Sequence, residues 1–93
     1  MKTVKEFVLE QIGLLVPRYE KLEFEATVGD TMRAIEFFVT VDGERKQCYD
    51  MSLNGEIDEV ALDKAGDEIA RYYRSTPEFV KGKLNTVSFV IEK

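Results

Sequence analysis

The chain has 93 residues, 44% hydrophobic and 33% charged, with a formal net charge of -5 and no histidine. That apolar content suits one packed core and excludes a disordered segment, and the length accommodates one small domain over residues 1–93. The acidic balance, with 13 bases scattered from Lys2 to Lys93, excludes direct binding to a phosphate backbone as the expected activity.

From Lys2 to Val16 the apolar positions Val4, Val8, Ile12 and Leu15, joined by Phe7, Leu14 and Val16, recur every three or four residues. This spacing predicts an amphipathic helix, which Pro17 ends because it lacks a donor and disfavours helical backbone before it. Glu6 and Glu10 fall where a signal peptide would be apolar, and no run reaches the roughly 18 apolar residues a bilayer requires. A cytoplasmic chain without membrane contact is expected.

Lys21 to Val28 alternates Leu22, Phe24, Ala26 and Val28 with Glu23, Glu25 and Thr27, the pattern of a half-buried strand. After the turn Gly29-Asp30-Thr31, Ile35, Phe37, Val39 and Val41 alternate with Glu36, Phe38 and Thr40 as a second strand. Asp42-Gly43 then predicts a tight hairpin, since type I′ geometry needs positive φ at both turn residues. The third strand is expected over Glu44 to Met51. A two-residue loop pairs Val41 with Glu44, Phe38 with Gln47, Phe37 with Cys48 and Glu36 with Tyr49. That register puts Cys48 beside Phe37 on the helix-covered face and Tyr49 beside Phe38 on the other; a one-residue bulge would reverse it.

Asn54-Gly55 marks another turn, and Asp58 is placed to cap or open a second helix running to about Ser75. Its expected buried stripe comprises Val60 or Ala61, Leu62, Ala65, Ile69, Tyr72 and Tyr73. Gly66 in its middle costs roughly 1 kcal/mol of helix propensity, which close packing against a strand would justify. Pro77 and Gly82 break the chain before Val87, Phe89 and Ile91 alternate as a last strand, either at the sheet edge or inserted centrally. The reading is an α+β domain of order α-β-β-β-α-β, an antiparallel meander with two helices packed on one face.

Chemistry is scarce along this order. Without histidine the usual general base is missing, and the lone Cys48, in an apolar setting, reads as a packed thiol and not a nucleophile. Two carboxylates can suffice for glycoside hydrolysis, but no acid here is paired with an aromatic platform. Asn54-Gly55-Glu56-Ile57-Asp58-Glu59 is not a calcium loop, because its glycine comes too early, and the isolated glycines make no phosphate loop. A non-enzyme with no metal or other cofactor is expected.

The strongest signal is charge distribution. Between Asp50 and Glu68 stand seven acids, Asp50, Glu56, Asp58, Glu59, Asp63, Asp67 and Glu68, against one base, Lys64. Acids early in a helix complement its macrodipole, and a solvated helix face is ordinarily charged, but such faces usually mix signs. The alternative is a surface steering a basic protein partner. A second candidate is the sheet face away from the helices, where Glu23, Glu25, Glu36, Phe38, Thr40 and Tyr49 would gather, with Phe38 and Tyr49 as interface anchors or as a contact shielding the sheet.

The run Val16-Pro17-Arg18-Tyr19-Glu20-Lys21-Leu22-Glu23-Phe24-Glu25-Ala26-Thr27-Val28 resembles the YezG-like family of antitoxins in its cadence of Val16, Pro17, Tyr19, Lys21, Leu22, Phe24, Ala26 and Val28. Ile35-Glu36-Phe37-Phe38, Tyr49 and Ile69-Ala70-Arg71-Tyr72-Tyr73 continue the likeness, and immunity proteins of contact-dependent inhibition are similar in size and character. The resemblance implies a bacterial cytosolic immunity protein that binds and neutralises a cognate toxin domain, often a nuclease. It would make Asp50, Glu56, Asp58, Glu59, Asp63 and Asp67 the charge partners and Phe38 or Tyr49 the anchors, with no cofactor. The competing expectation is a non-catalytic subunit or adaptor of another complex.

Overall fold

In the computed structural model, which describes residues 1–93, helix α1 spans Val4–Leu15. Thr3 and Glu6 close a capping box: the Glu6 N–H donates to Thr3 Oγ1 at 3.1 Å and the Thr3 N–H to Glu6 Oε1 at 3.0 Å. Two otherwise orphaned donors are thereby satisfied. The helix buries Val4, Val8 and Ile12, one residue per turn, and Val16 leaves it in extended backbone just before Pro17.

Strands β1 (Lys21–Val28), β2 (Arg33–Val41) and β3 (Glu44–Gln47) form the antiparallel meander. Asp42 and Gly43 have φ of 52° and 80°, as the type I′ hairpin requires. Val41 pairs with Glu44 and Phe38 with Gln47, in the register read from the sequence. The hairpin tip is tied down by Glu20, whose carboxylate accepts the N–H groups of Asp42 at 3.0 Å and Gly43 at 3.1 Å. Those two donors hold the Glu20 carboxyl below its ordinary pKa.

The third strand is shorter than its alternation predicts. It stops at Gln47, and Cys48–Leu53 forms a short helix, α2. The Gln47 side chain turns back to accept the N–H groups of Tyr49 at 2.9 Å and Asp50 at 3.0 Å, capping the new helix where the ladder ends. The expected pairs Phe37 with Cys48 and Glu36 with Tyr49 therefore do not form. Cys48 is nevertheless buried beside Phe37, arriving there from a helix. Tyr49 lies away from Phe38, its hydroxyl donating to the Ile35 carbonyl on the flank of β2.

Gly55, at φ 77°, ends α2 and lets the buried Ile57 turn into the core. Asp58 caps helix α3 (Glu59–Arg74), accepting the Ala61 N–H at 2.9 Å. The buried stripe of α3 is Ala65, Gly66, Ile69, Ala70 and Tyr73. Val60 is exposed, whereas Ala61, Leu62 and Tyr72 are half-buried. At the far end Arg74 donates to the carbonyls of Gly29 at 2.9 Å and Met32 at 3.1 Å, fastening α3 to the β1–β2 turn.

Strand β4 (Asn85–Glu92) pairs antiparallel with β1, giving the sheet order β3-β2-β1-β4. The last strand thus joins at an edge. One face of the sheet carries Leu22, Phe24, Ala26, Val28, Ile35, Phe37 and Val39 into a core completed by α1 and α3, with α2 closing it beside β2 and β3. Three helices serve where the sequence predicts two. Phe7 of α1 stacks on Tyr72 of α3 at 4.2 Å between ring centroids, and every buried side-chain polar atom has a hydrogen-bond partner.

Candidate partner-binding cleft

Helices α2 and α3 do not close over the end of the core. Between them, α1 and β2 lies a cleft of about 490 Å³, within the size range of recognition pockets. Eleven of its 16 lining residues are hydrophobic: Ile12, Ile35, Phe37, Leu62 and Ile69 are among those on its walls, while Tyr49, Leu53 and Val60 stand at its mouth. These last three are exposed by 45%, 85% and 74%, so the cleft collects a third of the nine large apolar side chains that the fold leaves in water. Its geometry follows from two local events: the early end of β3, which places Tyr49 and Leu53 on a helix, and the Asp58 cap, which starts α3 one residue before Val60.

A charged wall adjoins this apolar surface. Arg33, at the start of β2, extends across α3 and is gripped by Asp63 (Nη2 to Oδ1, 2.7 Å) and Asp67 (Nε to Oδ1, 2.8 Å). Its guanidinium passes over Gly66, where an added Cβ would lie 2.6 Å from Nη1, so the strand-derived contact expected at this glycine is a side chain. Burial acts to lower the Arg33 pKa, but the hydrogen bonds and charges of Asp67 and Asp63 outweigh it and leave it raised. Glu59 and Asp63 both line the cleft, which keeps its rim acidic despite the arginine.

The seven acids of the 50–68 segment are less one-signed in space than in sequence. Asp63 and Asp67 share Arg33, Glu56 meets Lys46 at 2.6 Å, and Glu68 meets Arg71 at 3.4 Å. Asp50, Asp58 and Glu59 have no base within ion-pair distance, and Asp58 is engaged as the α3 cap. The fold therefore brings Tyr49, Glu59 and Asp63 to one cleft, keeps Asp50 exposed on α2, ties Asp67 to Arg33 and spends Glu56 on a tie to β3. Leu53 and Val60, the most exposed apolar residues at the mouth, carry no binding motif in the sequence, where Val60 is one of two candidates for the buried stripe; their position in polar surroundings between Tyr49 and Asp63 is the available signal.

Phe38 stands apart on the open sheet face. Arg45 lies 3.7 Å from its ring centroid and is held there by Glu23, with Nε to Oε2 at 2.8 Å. The Arg45 hydrogen bond in turn keeps the Glu23 carboxyl below its usual pKa. Glu36 accepts from Gln47 at 3.1 Å on the same face. Phe38 and Tyr49 consequently cannot form one anchor pair.

The Cys48 thiol is on the cleft wall but only 1% of the residue is exposed, and burial pushes its pKa up against the lowering hydrogen bonds of Phe37 and Tyr49. A protonated thiol in this setting packs as a small apolar group. Burial likewise raises the Tyr49 phenol, which serves as a donor to Ile35. No three His, Cys, Asp or Glu side chains are arranged to hold a metal ion, and no helix is long and apolar enough to cross a membrane. No family model, curated protein or solved structure matches the chain.

Proposed function

We propose that this protein acts by binding another protein, with the cleft between α2 and α3 as the principal contact. The observation that carries this reading is the coincidence of Tyr49, Leu53 and Val60, exposed at the mouth of an apolar cleft, with Glu59 and Asp63 on its lining. A few buried anchors supply most interface energy, tyrosine prominent among them, the exposed Leu53 and Val60 add apolar area around Tyr49, and flanking carboxylates select an approach by Lys or Arg. The partner is accordingly a basic protein that inserts an apolar side chain beside a cation.

The setting we infer is immunity: a cytoplasmic, non-catalytic protein that neutralises a cognate bacterial toxin domain, a nuclease being the class whose nucleic-acid site must be basic. The resemblance of Val16–Val28 to YezG-like antitoxins supports this setting, and the acidic rim fits it. A second reading, a subunit or adaptor in another complex, rests on the same cleft, whose exposed apolar mouth would serve such a partner equally.

Affinity capture from cells of the source organism tests the reading. The expected result is retention of a basic protein in stoichiometric amount, its loss when Leu53 and Val60 are both changed to lysine, and its persistence with Phe38→Ala. Asp50→Lys with Glu59→Lys is the charge test of choice, because neither side chain serves the fold as Asp58 does in its cap or Asp63 does with Arg33. Equal retention by the wild type and the Leu53/Val60 variant overturns the cleft as the contact. A captured toxin favours immunity, and a biosynthetic or structural partner favours the subunit.

A further inference from the structure

The two edges of the sheet are built differently. β3 has four residues, Glu44-Arg45-Lys46-Gln47, three of them charged, and ends where α2 begins. Short charged edges resist pairing with other chains. β4 has eight residues, and from Asn85 to Ile91 it contains no charge, no proline and no residue with positive φ. Its stretch Thr86-Val87-Ser88-Phe89-Val90-Ile91 combines high strand propensity with no charge, the composition that invites strand addition.

The phase of the ladder shows which peptide groups are unused. The Lys93 N–H donates to the Glu20 carbonyl at 2.8 Å, so the odd-numbered residues of β4 turn their peptide groups towards β1. Thr86, Ser88, Val90 and Glu92 then direct theirs outward, beyond the last strand of the sheet. On the helix side Val87, Phe89 and Ile91 are only half-buried, and on the other side Val90 is exposed.

We infer that β4 pairs antiparallel with β4 of a second copy, joining two four-stranded sheets into one. A two-fold axis normal to the sheet through Phe89 keeps the helix-covered faces on the same side. It sets Val87 opposite Ile91 of the other copy, Ser88 opposite Val90 and Thr86 opposite Glu92, with no like charges facing along the strands; Lys5, 5.6 Å from the Phe89 ring centroid, is the cation nearest the axis. A foreign strand is ordinarily selected by pockets or charges along the receiving edge; Thr86–Ile91 offers no charge, and the hollow that Ser88, Phe89 and Val90 share with Glu23, Glu25, Glu36, Phe38 and Arg45 belongs to the open sheet face. Charge placement also favours self-pairing: the acidic 50–68 segment lies with α2 and α3, which contact β2 and β3, at the other side of the sheet. β4 is the long edge through which two copies approach without opposing those acids. One strand seam buries less than the roughly 1,200 Å² typical of stable interfaces, so the dimer is weak and concentration-dependent.

Sedimentation of the full chain from about 10 µM to about 1 mM, bracketing the range of a weak dimer, tests this. Weight-average mass should climb from monomer towards dimer. Ser88→Pro removes an N–H that points only outward, which edge strands tolerate, and should weaken association at least about tenfold with circular dichroism and melting unchanged. Should that proline disturb the fold, Val90→Lys, an exposed change on the same edge, decides in its place. Leu53→Lys should leave the dimer intact, which separates this seam from the proposed partner cleft. A monomer at every concentration overturns the inference, as does a dimer that the folded Ser88 or Val90 variant forms as readily as the wild type.

Discussion

Apolar surface on the open sheet face and at the cleft meets opposite treatment from the chain's own side chains. On the sheet face, Phe38 is roofed by Arg45, and Arg45 is secured by Glu23. At the cleft, Tyr49, Leu53 and Val60 stand exposed while the arginine on its wall is held by Asp63 and Asp67. Aromatic content therefore does not distinguish a recognition surface from a shielded one. What distinguishes them is whether the neighbouring charges cover the apolar group or leave it to a partner.

The adjacent phenylalanines give the largest contrast. Phe37 is 2% exposed and faces the core, whereas Phe38 faces away from it. Phe37→Ala should cost about 3–5 kcal/mol in urea unfolding. Phe38→Ala should cost less than about 1.5 kcal/mol, since it loses one partly exposed cation–π contact and modest packing. Similar losses for both would break the assignment of the two faces. Next in size is the anchor effect: replacing Leu53 and Val60 together by lysine should weaken binding of the captured partner by at least about 2 kcal/mol, roughly 30-fold, at unchanged melting temperature.

Arg33 sharpens the comparison within the cleft wall. In the wild type, Gly66→Ala should forfeit its expected gain, because the new Cβ displaces a guanidinium held by two carboxylates. In an Arg33→Ala background the same change should stabilise by about 1 kcal/mol, the ordinary helix-propensity difference. A thermal-unfolding double-mutant cycle measures the coupling, and identical effects in both backgrounds would show that Arg33 does not occupy this position.

The smallest effect expected is from acid. Glu6, Glu20 and Glu23 are held below the ordinary carboxylate range, respectively by the Thr3 backbone donor, the Asp42 and Gly43 donors, and Arg45. A carboxyl that takes up its proton less readily folded than unfolded stabilises above the unfolded pKa, about 4.3 for glutamate, and loses that contribution as pH falls through the folded value. Melting temperature should therefore drop below about pH 4.3, and Glu20→Gln should make the drop shallower. An unaltered slope would remove the hairpin-tip contact from the account.

The elements readable from sequence are those fixed by short-range chemistry. The Asp42-Gly43 turn, the β1 alternation and the Asp58 cap each rest on a few neighbouring residues, and each is present. Cys48 to Met51 reads as strand because Gln47-Cys48-Tyr49 alternates, while the side-chain cap of Gln47 that ends the ladder leaves no conspicuous pattern. The spacing of the buried Cys48 and Met51, with Asp50 in the first turn, was the only helical hint. For the site, the acids at 59 and 63 are visible, but the one base that Asp63 and Asp67 share lies some thirty residues upstream. Nor does spacing reveal that two helices leave a gap between them.

The central claim is most directly tested by photo-crosslinking in cells of the source organism, with a photoreactive side chain at Val60 in one variant and at Phe38 in another. The account predicts a discrete crosslinked species with a basic protein from Val60 and none from Phe38. A product formed from Phe38 and absent from Val60 would contradict it, placing recognition on the sheet face that Arg45 covers.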